Sequence, residues 1–193
     1  MRKLPASRFT LSPHPSMRGY FAHEIYKTMK KNKKLFVLTG DLGYGMWNRI
    51  RDEFPDRFIN TGAAEQAMVD IAVGLALEGK IPICYSITTF LLYRPFESIR
   101  NYVNHEKLNI KLIASGRFSP HPDYFEDGFT HWAPEDKGIM KILRNIKSVW
   151  PKNKEEMPAL VKQMIKDKNP WYVNLAKNDV IARSKATRQS HLK

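Results

Sequence analysis

The stretch Arg57-Phe58-Ile59-Asn60-Thr61-Gly62-Ala63-Ala64-Glu65-Gln66-Ala67-Met68-Val69-Asp70-Ile71-Ala72-Val73-Gly74-Leu75-Ala76-Leu77-Glu78-Gly79-Lys80-Ile81-Pro82-Ile83-Cys84-Tyr85 decides the fold. Its ends, 57–60 and 81–85, are short apolar runs of strand type. Between them a small-residue turn leads into a helix after Ala64 that is apolar almost all round and stops at Gly79, a natural C-terminal cap. A strand, a helix and a second strand in such close order form a crossover unit, which implies parallel pairing. A helix with so few polar positions is a buried one. One carboxylate, Glu65, stands in its first turn.

The same alternation continues on both sides. A helix is expected over about Met17 to Lys31, a strand at Leu35–Thr39, a short helix from Met46 to Phe54 and a helix holding Phe90, Tyr93, Phe96, Ile99 and Arg100. Further strands are expected at Asn109–Ala114, Ile146–Trp150 and Trp171–Leu175, with helices from Pro134 to Leu143 and from Lys154 to Lys168. The expected architecture is α/β, a doubly wound, mainly parallel six-stranded sheet with helices on both faces. Residues 1–16, with three prolines, read as an N-terminal arm, 17–183 as one domain and 184–193 as a basic tail. Ligands in such folds bind beyond the carboxyl ends of the strands. Asp41, Glu65, Phe90 and a long loop from Gly116 to Ala133 carrying Asp127 and His131 fall on that edge.

Composition narrows the function. The net charge of +13 suggests nucleic acid, but its distribution does not. Residues 1–34 hold nine Lys/Arg against one acid and 137–193 fourteen against four, while 35–136 hold nine against fourteen. The excess lies in the flanks, without zinc-ligand spacing or a recognition helix, so a nucleic-acid partner is not expected. No apolar run reaches membrane-spanning length, and no secretory signal opens the chain, so no membrane association is expected. The single cysteine, Cys84, cannot form an intrachain disulfide; it reads as a small buried hydrophobe in a reducing, cytoplasmic setting.

An acid in a helix's first turn has an ordinary reason, since it offsets unpaired N–H groups. At the head of a buried helix, however, a carboxylate must either meet a specific partner or take a proton, which prepares it for proton exchange. Phe90 reads equally as core, Asp41 as a strand-end turn residue and His131 as a solvated loop residue.

Several motifs in order resolve this ambiguity: Phe54-Pro55-Asp56-Arg57-Phe58-Ile59-Asn60-Thr61-Gly62-Ala63-Ala64-Glu65-Gln66, Gly74 to Pro82, Thr89-Phe90 with Arg94-Pro95-Phe96-Glu97-Ser98-Ile99-Arg100, and Asp127-Gly128-Phe129-Thr130-His131 followed by Glu135-Asp136. From about Met17 to Lys177 the chain closely resembles the pyrimidine-binding domain of transketolase and the related deoxyxylulose-phosphate synthase. The resemblance implies the thiamine-diphosphate-binding fold of pyrimidine-binding type. It assigns Glu65 to the cofactor's aminopyrimidine as the catalytic carboxylate, Phe90 to stacking on that ring, Tyr93 and Phe96 to the same aromatic wall, and Asp41 to the cofactor's side. His131, as a catalytic residue, and Asp127 would contact substrate, with Arg18 and Lys177 on a substrate phosphate.

The resemblance further implies thiamine diphosphate as cofactor, with Mg2+ held by a partner chain and no metal ligands here. The Gly-Asp-Gly of a diphosphate-binding domain is not matched, since Gly40-Asp41-Leu42 is only a lookalike. The expected protein is thus the pyrimidine-binding subunit of a split, transketolase-like transferase acting in carbohydrate metabolism. It would be active only with a separate diphosphate-binding subunit, in a dimer of heterodimers acting on a sugar or 2-oxo acid. A synthase-like or 2-oxo acid decarboxylase subunit, and a non-catalytic regulatory subunit, stay open. The loop Gly116-Arg117-Phe118-Ser119-Pro120-His121-Pro122 lacks the family's glycine-rich, phosphate-binding character.

Overall fold

The computed structural model describes residues 16–117, 129–131 and 133–176. The expected arm up to Pro15, the basic tail, Asp127 and Lys177 lie outside the described residues. Among these residues six strands form one sheet: β1 Leu35–Thr39, β2 Phe58–Asn60, β3 Ile81–Ile87, β4 Lys111–Arg117, β5 Lys147–Val149 and β6 Trp171–Ala176. Their order is β2-β1-β3-β4-β6-β5 and every neighbouring pair is parallel. The helices are α1 Met17–Met29, α2 Asn48–Glu53, α3 Glu65–Leu77, α4 Thr88–Tyr93, α5 Phe96–Ser98, α6 Asp136–Ile142 and α7 Met157–Lys166, with a π-helical segment at Ile99–His105.

Strand periodicity divides the core into two layers. Val37, Ile83, Tyr85, Ile113, Val173 and Leu175 face a cluster built with α1, α7, Trp47 and Ile50. Leu38, Cys84, Leu112, Ala114 and Tyr172 face the other cluster, built with α3, α4, the π-helical segment and α6. Cys84 is fully buried, which pushes its thiol pKa well up and leaves it the packing role expected. No helix among the described residues is long and apolar enough to cross a membrane.

Element bounds depart from the sequence reading where polar residues or backbone turns intervene. Strand β3 runs two residues past Tyr85, because Ser86 and Ile87 pair with Ala114 and Ser115. Strand β4 starts at Lys111 rather than Asn109, after a turn in which Lys107 has φ 55 and the Ile110 N–H bonds the Leu108 carbonyl. The single helix expected around Phe90 to Arg100 is broken: α4 ends at Tyr93, Pro95 intervenes, and the coil widens to a π-helix from Ile99. α6 starts at Asp136, two residues later than expected.

Candidate active site at the carboxyl edge

The sheet changes winding direction at β1, whose neighbours are β2 on one side and β3 on the other. The loops leaving β1 and β3 therefore diverge and open a crevice at their carboxyl ends. Helix α3 brings Glu65 into it. Glu65 is the helix's first residue, 1% exposed, and no side-chain cap precedes it. Its Oε1 accepts a hydrogen bond from Ser86 Oγ at 2.8 Å, and its Oε2 is ion-paired with Arg94 Nη1. Of the two courses open to a buried carboxylate, Glu65 has met a specific partner. Gly40, just past β1, permits the approach, because a Cβ there would lie 2.8 Å from Glu65 Oε1.

Phe90 lies one turn ahead of Arg94 on the helix that leaves β3. The Arg94 guanidinium carbon sits 4.0 Å from the centre of the Phe90 ring, and the His131 imidazole meets the same ring edge-on at 5.1 Å and 68°. His131 comes from the short helical turn Phe129–His131. Thr89 Oγ1 bonds the Thr130 carbonyl, and Thr130 Oγ1 lies 2.8 Å from His131 Nδ1. Gly116, at φ +92, lets this turn close onto β4, since a Cβ there would stand 2.8 Å from the His131 carbonyl oxygen. Glu65, Phe90 and His131, from three separate segments, thus converge with Ser86 and Arg94, which the sequence reading did not single out.

The remaining expected residues sit around this cluster. Tyr93 is half exposed and its hydroxyl donates to the Glu135 carboxylate. Partial burial and this carboxylate push the phenol's pKa up. Phe96 is partly buried and packs against the α3-side core. Asp41, at φ 58, is exposed on the loop after β1. Its N–H donates to Asn60 Oδ1 at 2.9 Å, and its carboxylate accepts from Asn60 Nδ2 and from the Tyr44 hydroxyl at 3.1 Å. Arg18 lies in the first turn of α1, half-buried. Among the described residues no group of three or more His, Cys, Asp or Glu could hold a metal ion.

A buried polar network joins α6, β6 and the start of α4. Asp136 Oδ2 accepts from Trp150 Nε1 at 2.7 Å, Tyr172 Oη at 3.0 Å and Asn174 Nδ2 at 2.7 Å. Asn174 Nδ2 also lies 3.2 Å from Thr88 Oγ1, which donates to the Ser115 carbonyl at 2.7 Å. Burial and the Asp136 charge raise the Tyr172 pKa. Asp136 therefore ties α6 and β6 to the start of α4, the helix that carries Phe90. The sequence shows it only as one of two acids opening a helix.

A flat, nitrogen-bearing group already lies over the Phe90 ring and donates to Glu65, so the crevice suits a nitrogen heterocycle that would do the same. Residues 14–181 match the family described as transketolase, pyrimidine binding domain. A protein of Methanocaldococcus jannaschii, provisionally named a transketolase C-terminal section, is 34% identical over 169 residues, 86% of this chain and 52% of that protein. A 1-deoxy-D-xylulose-5-phosphate synthase of Clostridium perfringens is 33% identical over 146 residues, 74% of this chain and 22% of the synthase. A solved structure of a split gene transketolase, described as an inactive beta4 tetramer, superposes with a TM-score of 0.73 at 30% identity, covering 85% of this chain and 52% of that one. The chain thus spans about half the length of the first of these relatives. It belongs to the transketolase pyrimidine-binding domain family.

Proposed function

We propose that this chain is the pyrimidine-binding component of a transketolase-like, thiamine-diphosphate-dependent transferase, completed by a separate diphosphate-binding chain. The observation that carries the reading is Glu65: a carboxylate 1% exposed, fixed by Ser86 at a sheet switch point and facing the same guanidinium that lies over Phe90. When bound, thiamine diphosphate supplies an electron sink for two-carbon ketol transfer. Glu65 would hold a proton against a ring nitrogen, with Ser86 fixing its orientation. Phe90 would stack on the ring, Tyr93 and Phe96 would back it, and Asp41 would stand at the cofactor's edge. His131, pinned through Thr130, would face the substrate's reacting oxygens, with Asp127, Arg18 and Lys177 as further substrate contacts.

Two observations support dependence on a partner. Helix α3, expected to be buried for its few polar positions, instead leaves Ala67, Ile71, Gly74 and Leu77 exposed beside Gln66 and Asp70, with Leu77 at 69%. The split gene relative is described as inactive in a state made of one kind of subunit. Mg2+ would be held on the partner, and the working assembly would be a dimer of heterodimers in the cytoplasm.

Mixing the chain with a diphosphate-binding subunit, thiamine diphosphate and Mg2+ is expected to produce ketol transfer that Glu65→Ala and Glu65→Gln abolish. Full activity in either variant, or in this chain alone, would overturn the proposal. The synthase relative favours a second reading with the same cofactor and Glu65 but a different acceptor. A panel of sugars and 2-oxo acids separates the two. Loss of all activity with every partner would leave a regulatory subunit that kept the fold.

A further inference from the structure

We propose that Arg94 is a resident occupant of the pyrimidine seat, a side chain that fills the ring's place in the ligand-free chain and must leave for the ring to enter. The inference rests on the proposed function, since it concerns the same seat.

Glu65 has two partners of opposite character. Ser86 is a short side chain on β3, fully buried and at 2.8 Å. Arg94 is a long side chain at the end of α4, 43% exposed, although the carboxylate it pairs with is 1% exposed. A purely structural buried ion pair encloses both members, because each charge must be compensated away from water. Here only the anion is enclosed, and the cation reaches in from the solvent side.

The position of that cation matches what a heterocycle would need. The guanidinium is planar and delocalised, lies 4.0 Å from the Phe90 ring centre, and donates N–H to Glu65 Oε2. An aminopyrimidine bound at Glu65 and Phe90 would make the same two contacts, one stacked and one hydrogen-bonded. Two flat groups cannot occupy one ring face at stacking distance, so they exclude each other. Because Arg94 is half exposed, it can move to water without burying an unpaired cation. Glu65 cannot follow it, being held by Ser86 and hemmed in by Gly40. Exchange at this seat is therefore Arg94 out and ring in, with Glu65 satisfied in both states.

Competition of this kind has a signature that a supporting role lacks. Thiamine binding to the full chain is measured by calorimetry and by ligand-observed NMR, without a partner and without turnover. Arg94→Ala is expected to bind thiamine about tenfold more tightly than wild type. In that variant alone, guanidinium chloride at sub-denaturing concentration should compete with thiamine beyond an equal concentration of sodium chloride. Adding Phe90→Ala should remove the guanidinium effect. If Arg94→Ala does not fold, Arg94→Lys keeps the charge, loses the plane, and should still bind several-fold more tightly. Equal or weaker binding in the folded Arg94 variant overturns the occupant role and leaves the pyrimidine site standing. Absence of thiamine binding in wild type and the Arg94 variants alike overturns both the occupant role and the pyrimidine-site reading.

Discussion

Gly40 and Glu65 are in such close register that one added carbon would separate them: a Cβ at Gly40 would lie 2.8 Å from Glu65 Oε1 and 3.3 Å from the Gly62 carbonyl. The carboxylate cannot yield readily, because the fully buried Ser86 holds the same oxygen. Gly40→Ala is therefore predicted to cost about 1–3 kcal/mol of stability. It should also lower the partner-reconstituted activity at least tenfold by moving Glu65. Urea denaturation and initial rates check the two halves; activity within twofold of wild type would refute the tight fit.

Gly116 makes a second such demand, on the His131 side. At φ +92 it occupies a region that side chains rarely adopt, and a Cβ would press on the His131 carbonyl oxygen. Gly116→Ala is predicted to cost about 3 kcal/mol through strain and displacement together. The NMR signals of His131 and Thr130 should shift while those of α1 and α7 stay in place.

Asp136 collects three donors on one buried oxygen. Asp136→Ala leaves the Trp150 indole, the Tyr172 hydroxyl and the Asn174 amide without that acceptor, at a predicted cost of about 3 kcal/mol. Asp136→Asn keeps the shape but not the charge and should cost less. A change in tryptophan fluorescence accompanying the loss would tie it to Trp150; an unchanged denaturation midpoint would count against the network.

Lys111 offers a test by pH. Its side chain is fully buried, with Nζ donating to the Asp167 and Asn169 carbonyls at 2.9 and 2.6 Å, and burial lowers its pKa to about 7. In the unfolded chain a lysine holds its proton to about pH 10. Between those values the unfolded state binds more protons, so stability rises with pH from this group, by at most about 1.4 kcal/mol per unit. Below pH 7 both states carry the proton and the dependence vanishes. Subtracting the stability profile of Lys111→Met from that of wild type isolates the effect, and a flat difference between pH 7 and 10 would contradict it.

The exposed residues of α3 give the last prediction. Ile71→Asp and Leu77→Lys alter side chains that are 41% and 69% exposed and should leave the chain's own denaturation midpoint nearly unchanged. If α3 docks a partner, both substitutions should weaken association at least tenfold in analytical ultracentrifugation. Unchanged association would move the interface elsewhere.

These residues also mark where the sequence was legible. β1 has the expected bounds, Leu35–Thr39, because an unbroken apolar run lies between Lys34 and Gly40. Glu65 stood out as the lone acid at the head of an apolar helix. Ser86 did not, because a serine ends the apolar run that marks a strand, although β3 continues through it. Arg94 stands in a motif that carries the resemblance, but an arginine in a helical stretch reads as solvated surface, and only the chain's return to Glu65 gives it this partner. The expected start of β4 at Asn109 failed on Lys111, whose burial depends on two carbonyls from a segment more than fifty residues away. In the sequence Asp136 shows only as an acid at the start of a helix, since its three donors come from elements that only the folded sheet brings together.

Among the described residues the sheet's two outermost strands, β2 and β5, have three residues each. Edges that short present few free backbone groups in a row, so they are poor templates for another strand. Lateral extension of the sheet is thereby discouraged, both as a route to ordered filaments and as a means of joining a second chain. A companion subunit would then have to approach through side chains on a helical face, where a single substitution can retune the contact without touching the backbone ladder.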